Sequence, residues 1–159
     1  MEYKYTYGYT DGSGTHHDKG NGGIGFVLLQ PESKKVLGMQ GMYIPDHRIG
    51  RLELLAAINA VHYYVKHINH FSVRKRKAKL LIHTDSQYVA NTYNEYLLTW
   101  MQNRAVLESK AHWQLWEQVN YYRSVLEIKW IKGHNKDPWN EMADYLAGKS
   151  RKFKENFLI

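Results

Sequence analysis

The sequence has no cysteine. That excludes disulfide bonds, thiolate zinc sites and a cysteine nucleophile, and it is compatible with a reducing compartment. Long apolar runs are also missing, since nowhere do about 18 apolar residues follow one another. The first ten residues, MEYKYTYGYT, hold no apolar core of signal-peptide length. A soluble, cytoplasmic chain with no membrane partner is therefore expected. The glycine-rich stretch after residue 11 contains no GxxxxGK[ST] pattern, so it is not a phosphate loop. No internal repeat or interdomain linker interrupts the 159 residues, which suit one domain able to bury roughly 70% of its unfolded surface. What is abundant is positive charge. Lys and Arg number 22 against 15 acids, giving a net charge of +7. Together with 14% aromatic content this favours an anionic, base-bearing partner, although such a charge also serves solubility alone.

Tyr3 to Thr10 alternates aromatic with small or polar residues at period two and predicts a strand ending at Asp11. Gly12 to Gly25, with six glycines, predicts a loop running into a strand over Ile24 to Leu29. After a turn at Pro31 to Lys34, a third strand near Lys35 to Tyr43 completes an antiparallel meander. RLELLAAINAVHYYVKH, Arg51 to His67, is apolar over most of its circumference and predicts a buried helix. Leu80 to Ile82 form the centre of a short buried strand that stops at Asp85. The basic run before it, from Arg74 to Lys79, would lie about five residues, roughly 17 Å, from that acid. A solvated loop or a secondary electrostatic role is expected for it. Gln87 to Asn120 is helical with interruptions, its Trp100, Trp113 and Trp116 read as core rather than as base-stacking platforms. A strand over Leu126 to Ile131 follows. Asp137-Pro138 then opens a helix expected to close at Gly148, ahead of a basic, peripheral tail.

Four acids stand out. Asp11 and Asp85 both end strands, where α/β sheets gather their ligands, but each would also serve as a helix cap or turn former. Glu53 lies in an apolar segment where a carboxylate is costly unless paired or metal-bound, or else serves as a helix-dipole partner. Asp144 shares a helix side with Asn140 and Glu141, a spacing that a surface salt-bridge face would also give. If the four converge, they form an all-oxygen donor set that selects Mg²⁺ or Mn²⁺ over zinc. Two such ions roughly 3.5 to 4 Å apart suit phosphodiester hydrolysis.

YTDGSG, RLELLAA, IHTDSQYV and GHNKDPWNEMAD, in this order and on these elements, resemble type 1 ribonuclease H. The resemblance spans about Tyr3 to Gly148. It implies an α/β ribonuclease H-like fold: a mixed five-stranded sheet in which strands 1 to 3 form an antiparallel meander and strands 1, 4 and 5 are parallel, with helices on both faces. The implied activity is endonucleolytic hydrolysis of the RNA strand of RNA/DNA hybrids, leaving 5′-phosphate and 3′-hydroxyl ends. Asp11, Glu53, Asp85 and Asp144 match the metal-binding carboxylates, and His134 matches the loop histidine that helps move protons or release product. Ser13 and Gln87 resemble positions that touch the nucleic acid, Asn140 is expected to face it, and Glu141 is expected beside the Asp144 metal. The chain departs from the family before Glu53, where HRIGRLE replaces the usual Thr and Asn. There Arg48 and Arg51 would hold phosphates as cations. The Trp-bearing region resembles the family's basic protrusion yet offers only Arg104 and Lys110, so His112, His16, His17 and Lys19 are expected to compensate. Rival readings are a DNA-cutting nuclease of the same fold, of resolvase or transposase type, and a catalytically silent hybrid-binding module. A monomer with no protein partner is expected.

Overall fold

In the computed structural model, which describes residues 3–69, 77–133 and 136–158, β1 runs over Tyr3–Gly14 and is longer than its alternating pattern suggested. β2 (Gly22–Leu29) and β3 (Val36–Ile44) complete the meander, with Asp11 paired to Gly25 and Gly14 to Gly22. Much of the expected glycine loop is thus strand. β4 (Lys77–Thr84) lies parallel to β1, and β5 (Leu126–Trp130) parallel to β4. β6, two residues at Phe157–Leu158, pairs antiparallel with β3 and makes the sheet six-stranded, in the order β5-β4-β1-β2-β3-β6. The tail expected to be peripheral therefore covers the β3 edge, and the Asn156 carboxamide oxygen accepts from the Tyr43 backbone N–H at 2.9 Å.

Every residue of β2 is buried, as a central strand covered on both faces requires. Phe26 and Leu28 join the larger core with α1 (Ile49–His67), while Val27 and Leu29 pack with Tyr9 against α6 (Pro138–Phe153). Helix α1 buries most of its length, consistent with its nearly all-round apolar sequence. Between β4 and β5 run α2 (Gln87–Asn91), a π-helical turn at Thr92–Tyr96, α3 (Leu97–Met101), α4 (Arg104–Glu108) and α5 (Trp113–Tyr121). Trp116 is fully buried and donates its indole N–H to the Tyr88 hydroxyl at 2.9 Å, so its expected core role holds.

Both covering helices approach glycines. A Cβ on Gly23 would lie 2.0 Å from the Ala147 carbonyl oxygen, and one on Gly25 would lie 2.4 Å from that of Ala143, so α6 rests directly on the β2 backbone. On the other face, a Cβ on Gly22 would lie 2.1 Å from the Asp46 oxygen and one on Gly12 2.8 Å from the Glu53 nitrogen, so the start of α1 is drawn onto β1 and β2. Asp137 caps α6 as expected, accepting from the Trp139 N–H at 2.9 Å with Pro138 in the first turn. Gly148 does not end the helix. Burial of Ala147 and Ser150 carries it one more turn, to the left-handed cap at Lys154 (φ 53°).

Candidate active site

Asp11 is not at a strand end but inside β1, buried, with its Oδ1 accepting from the Gly12 N–H at 3.0 Å. Asp85 follows the last residue of β4, next to Asp11, because Thr10 and Thr84 are register partners in the parallel pair. It is not the helix cap. Ser86 is, its hydroxyl accepting from the Val89 N–H at 3.2 Å, which leaves Asp85 directed by other contacts. One of them holds its backbone, as the Trp130 indole N–H donates to the Asp85 carbonyl at 3.2 Å. Another is Gly133, whose bare Cα face lies against the Asp85 carboxylate, 3.0 Å from a Cβ there to Oδ2. Glu53 lies beyond the first turn of α1, which starts at Ile49 and contains no acid, so the helix-dipole alternative does not apply. Its Oε1 accepts from the Gly12 N–H at 3.0 Å, while Oε2 is buried with no hydrogen-bond partner among the described residues.

Ligand oxygens of Asp11, Glu53 and Asp85 lie within 4.8 Å of one another. Asp144, exposed on α6, stands outside that group of three, but its charge is felt by Glu53. Burial, followed by the Glu53 carboxyl and then Asp85, pushes Asp11 far above the usual carboxylate range. Burial above all, with Asp85 and Asp144 adding repulsion, pushes Glu53 up as well. Clustered like charges in a desolvated pocket favour either bound protons or a bound cation. With donors that are all hard oxygens and a buried lone pair on Glu53 Oε2 left over, the residues fit a hard divalent cation.

Of the other expected site residues, Ser13 is half-buried and its Oγ accepts from the Arg151 Nε–H at 2.9 Å. Gln87 is exposed at the start of α2. Arg48 and Arg51 do not stand free, since both bind Asp46, at 2.8 and 3.2 Å. The Arg48 hydrogen bond holds the Asp46 carboxyl well below its usual range. His112, in a left-handed conformation (φ 59°) ahead of α5, feels both arginines, and burial pushes its imidazole down. Arg104 is engaged by Glu117 and Glu108 and lies over the Trp113 ring, so the small basic content of that region is reduced further. Asn140 corrects an expectation. It is 4% exposed, because residues 140, 143, 147 and 150 form the face of α6 that meets the sheet, and its Oδ1 is unpartnered among the described residues. Glu141 is exposed in the first turn of α6, where it suits the helix dipole. His134 and Arg74, Lys75 and Arg76 lie outside the described residues. Lys79 pairs with Glu127 at 3.5 Å, at the end of β4 away from Asp85.

Three contributors escape the reading of the sequence. Asp46 organises two arginines, Arg151 reaches Ser13 from 138 residues away, and His83 sits buried behind the site. His83 stacks on Tyr9 at 4.5 Å, its Nδ1 is 3.0 Å from the Gly8 carbonyl, and burial pushes its pKa down, so it is a neutral core histidine joining β4 to β1. Only the D-x-R spacing of Asp46 and Arg48 offered a hint.

The same architecture occurs in known structures. LC9-RNase H1, described as a type 1 RNase H with the type 2 active-site motif, superposes with a TM-score of 0.74 at 19% identity, over 100% of this chain and 78% of its own. A foamy viral protease-reverse transcriptase solved in complex with RNA/DNA hybrid gives 0.73 at 21% identity, over 96% of this chain and 20% of that one. These likenesses define the ribonuclease H-like fold. The sequence matches the family model for RNase H over residues 4–152. Ribonuclease H of Francisella tularensis subsp. novicida (strain U112) is 31% identical over 151 residues, 89% of this chain and 88% of that protein. Ribonuclease H of Pseudomonas paraeruginosa (strain DSM 24068 / PA7) is 33% identical over 147 residues, 89% of each. The chain belongs to the ribonuclease H family and is a hydrolase of the nuclease type.

Proposed function

We propose that this chain is a monomeric, cytoplasmic endoribonuclease that hydrolyses the RNA strand of RNA/DNA hybrids, leaving 5′-phosphate and 3′-hydroxyl ends. The observation that carries the reading is the convergence of Asp11, Glu53 and Asp85 within 4.8 Å, with the charge of Asp144 felt by Glu53. We assign all four as ligands of two divalent ions, Mg²⁺ or Mn²⁺. When bound, such ions supply Lewis-acid stabilisation of phosphoryl charge and activation of a water at neutral pH.

The chain's own residues do the rest. The Gly12 N–H and Trp130 indole fix Glu53 and Asp85 before any substrate arrives, which limits the reorganisation needed during reaction. Gln87 and Ser13 flank the carboxylates and offer hydrogen bonds to the strand being cut. Arg48 and Arg51, oriented by Asp46 and joined by His112, hold backbone phosphates of the duplex as partly neutralised cations. His134 is assigned to proton movement, and the approach of Gly133 to Asp85 supports placing that loop in the reaction.

The test is cleavage of labelled hybrid, duplex RNA and duplex DNA, each with Mg²⁺, Mn²⁺ or EDTA. Metal-dependent cutting confined to the RNA strand of the hybrid is expected. Equal cutting of duplex DNA, or cutting that persists in EDTA, would sink the proposal.

A further inference from the structure

The last turns of α6 do more than close the helix. Between them and the end of β1 lies a groove of about 550 Å³, lined by Ser13, Asp144, Lys149, Arg151 and Lys152 among others. Ser13 pairs with Gly23 across β1 and β2, and because Gly23 has no side chain the Arg151 backbone comes close, 2.9 Å from a Cβ there to its nitrogen. The Arg151 guanidinium, with 17% of its side chain exposed, then makes two directed bonds. Nε donates to Ser13 Oγ at 2.9 Å, and Nη1 donates to Asp18 Oδ2 at 3.1 Å. Asp18 Oδ1 accepts from the Asn21 carboxamide at 2.7 Å, and Asn21 Oδ1 accepts from the Tyr43 hydroxyl at 2.6 Å. The loop between β1 and β2 is thereby tied to both α6 and β3.

A serine hydroxyl carries one proton and two lone pairs, whereas arginine only donates. The bond from Nε therefore occupies a lone pair of Ser13 and leaves its O–H to donate elsewhere. The guanidinium's planar fork spans two partners at once, which an ammonium does not reproduce. We infer that Arg151 is a positioning residue: it orients the Ser13 hydroxyl as a donor into the groove beside Asp144, toward a backbone or sugar oxygen of the strand being cut, and is not itself a phosphate contact. This rests on the hybrid-cutting reading above and deepens it.

The experiment is steady-state cleavage of hybrid in Mg²⁺ by the wild type, Ser13→Ala, Arg151→Gln, Arg151→Lys and the Ser13→Ala/Arg151→Gln double variant. Loss of one hydrogen bond to substrate predicts a KM rise of about three- to tenfold in Ser13→Ala. Arg151→Gln should match it with kcat kept within about twofold, since the bond is equal in ground and transition states. Arg151→Lys should fall between Arg151→Gln and wild type, and it carries the test if Arg151→Gln does not fold by urea titration. The double variant should be no worse than Ser13→Ala, and the salt dependence of hybrid binding should be unchanged by Arg151→Gln. Additive KM losses, or a salt slope reduced by about one, would make Arg151 an independent phosphate contact and overturn the inference while sparing the function. A wild type that does not cut the hybrid overturns both.

Discussion

Helices α1 and α6 each bring one acid to the same pair of parallel strands, and they do it differently. Glu53 arrives on a helix buried along most of its length, with one oxygen fixed by Gly12 and the other buried without a partner among the described residues. Asp144 arrives on a helix whose outer face is exposed, and it is itself exposed. Both helices are seated by glycines that admit their backbones, so position is equally well defined. What differs is solvation. The α1 acid is committed to the site at a cost to the fold, whereas the α6 acid keeps water as an alternative partner.

The largest expected difference between the two acids is catalytic. Glu53→Gln should lower the hybrid-cleavage rate by about a thousandfold or more, several kcal/mol of charge stabilisation, and Asp144→Asn by clearly less, measured under single turnover in Mg²⁺. Equal losses would mean that exposure does not distinguish the two ligands. Next come the seats. Gly23→Ala should destabilise by about 3 kcal/mol or more, as its Cβ meets a backbone carbonyl of α6, and Gly12→Ala by less, judged by urea midpoints.

The pH dependence has a definite sign. Glu53 has its folded pKa raised, from an ordinary value to about 7, so the penalty is absent below the unfolded value and grows as pH climbs from about 4 through 7. Metal-free protein should lose on the order of 1–3 kcal/mol across that window on account of Glu53, and Glu53→Gln should shrink the loss to the part that Asp11 contributes, whereas Asp144→Asn, which removes only a minor repulsion, should shrink it slightly. Mg²⁺ at ten times its Kd should restore about 1.4 kcal/mol at pH 8 in the wild type and much less in Glu53→Gln, read as a Tm shift. The smallest effect belongs to α6 alone. Gly148 lies inside the helix, and a methyl group added there would meet nothing within 4 Å, so Gly148→Ala should stabilise by up to about 1 kcal/mol in a thermal melt.

Much of the fold is legible in short stretches of sequence. The period-two alternation of YKYTYGYT, the unbroken apolar helix after Arg51 and the Asp137-Pro138 start of α6 are local signals, and each element appears where its pattern put it. The glycines were legible as glycines but not as seats. A glycine-rich stretch has the composition of a loop, and only a helix lying across the strand reveals why Gly22, Gly23 and Gly25 lack side chains. Gly148 misled in the opposite direction, because packing of Ala147 and Ser150 outweighs its weak helix propensity. Asn140 shared a helical spacing with Asp144, yet spacing does not say which side of a helix meets the sheet.

The chemical repertoire was set by sequence alone: no thiol, an excess of cations, and acids at the ends of or inside apolar segments, where a carboxylate needs a reason to be. So was the order of elements, since strand and helix periods are properties of short windows. Which acids meet, and how they differ, was left to tertiary packing, because Asp11, Glu53 and Asp85 are brought within 4.8 Å by parallel strand register and close helix approach across 74 residues of chain. The same holds for Arg151 and Ser13, whose bond joins residues 138 apart and has no signature in either neighbourhood.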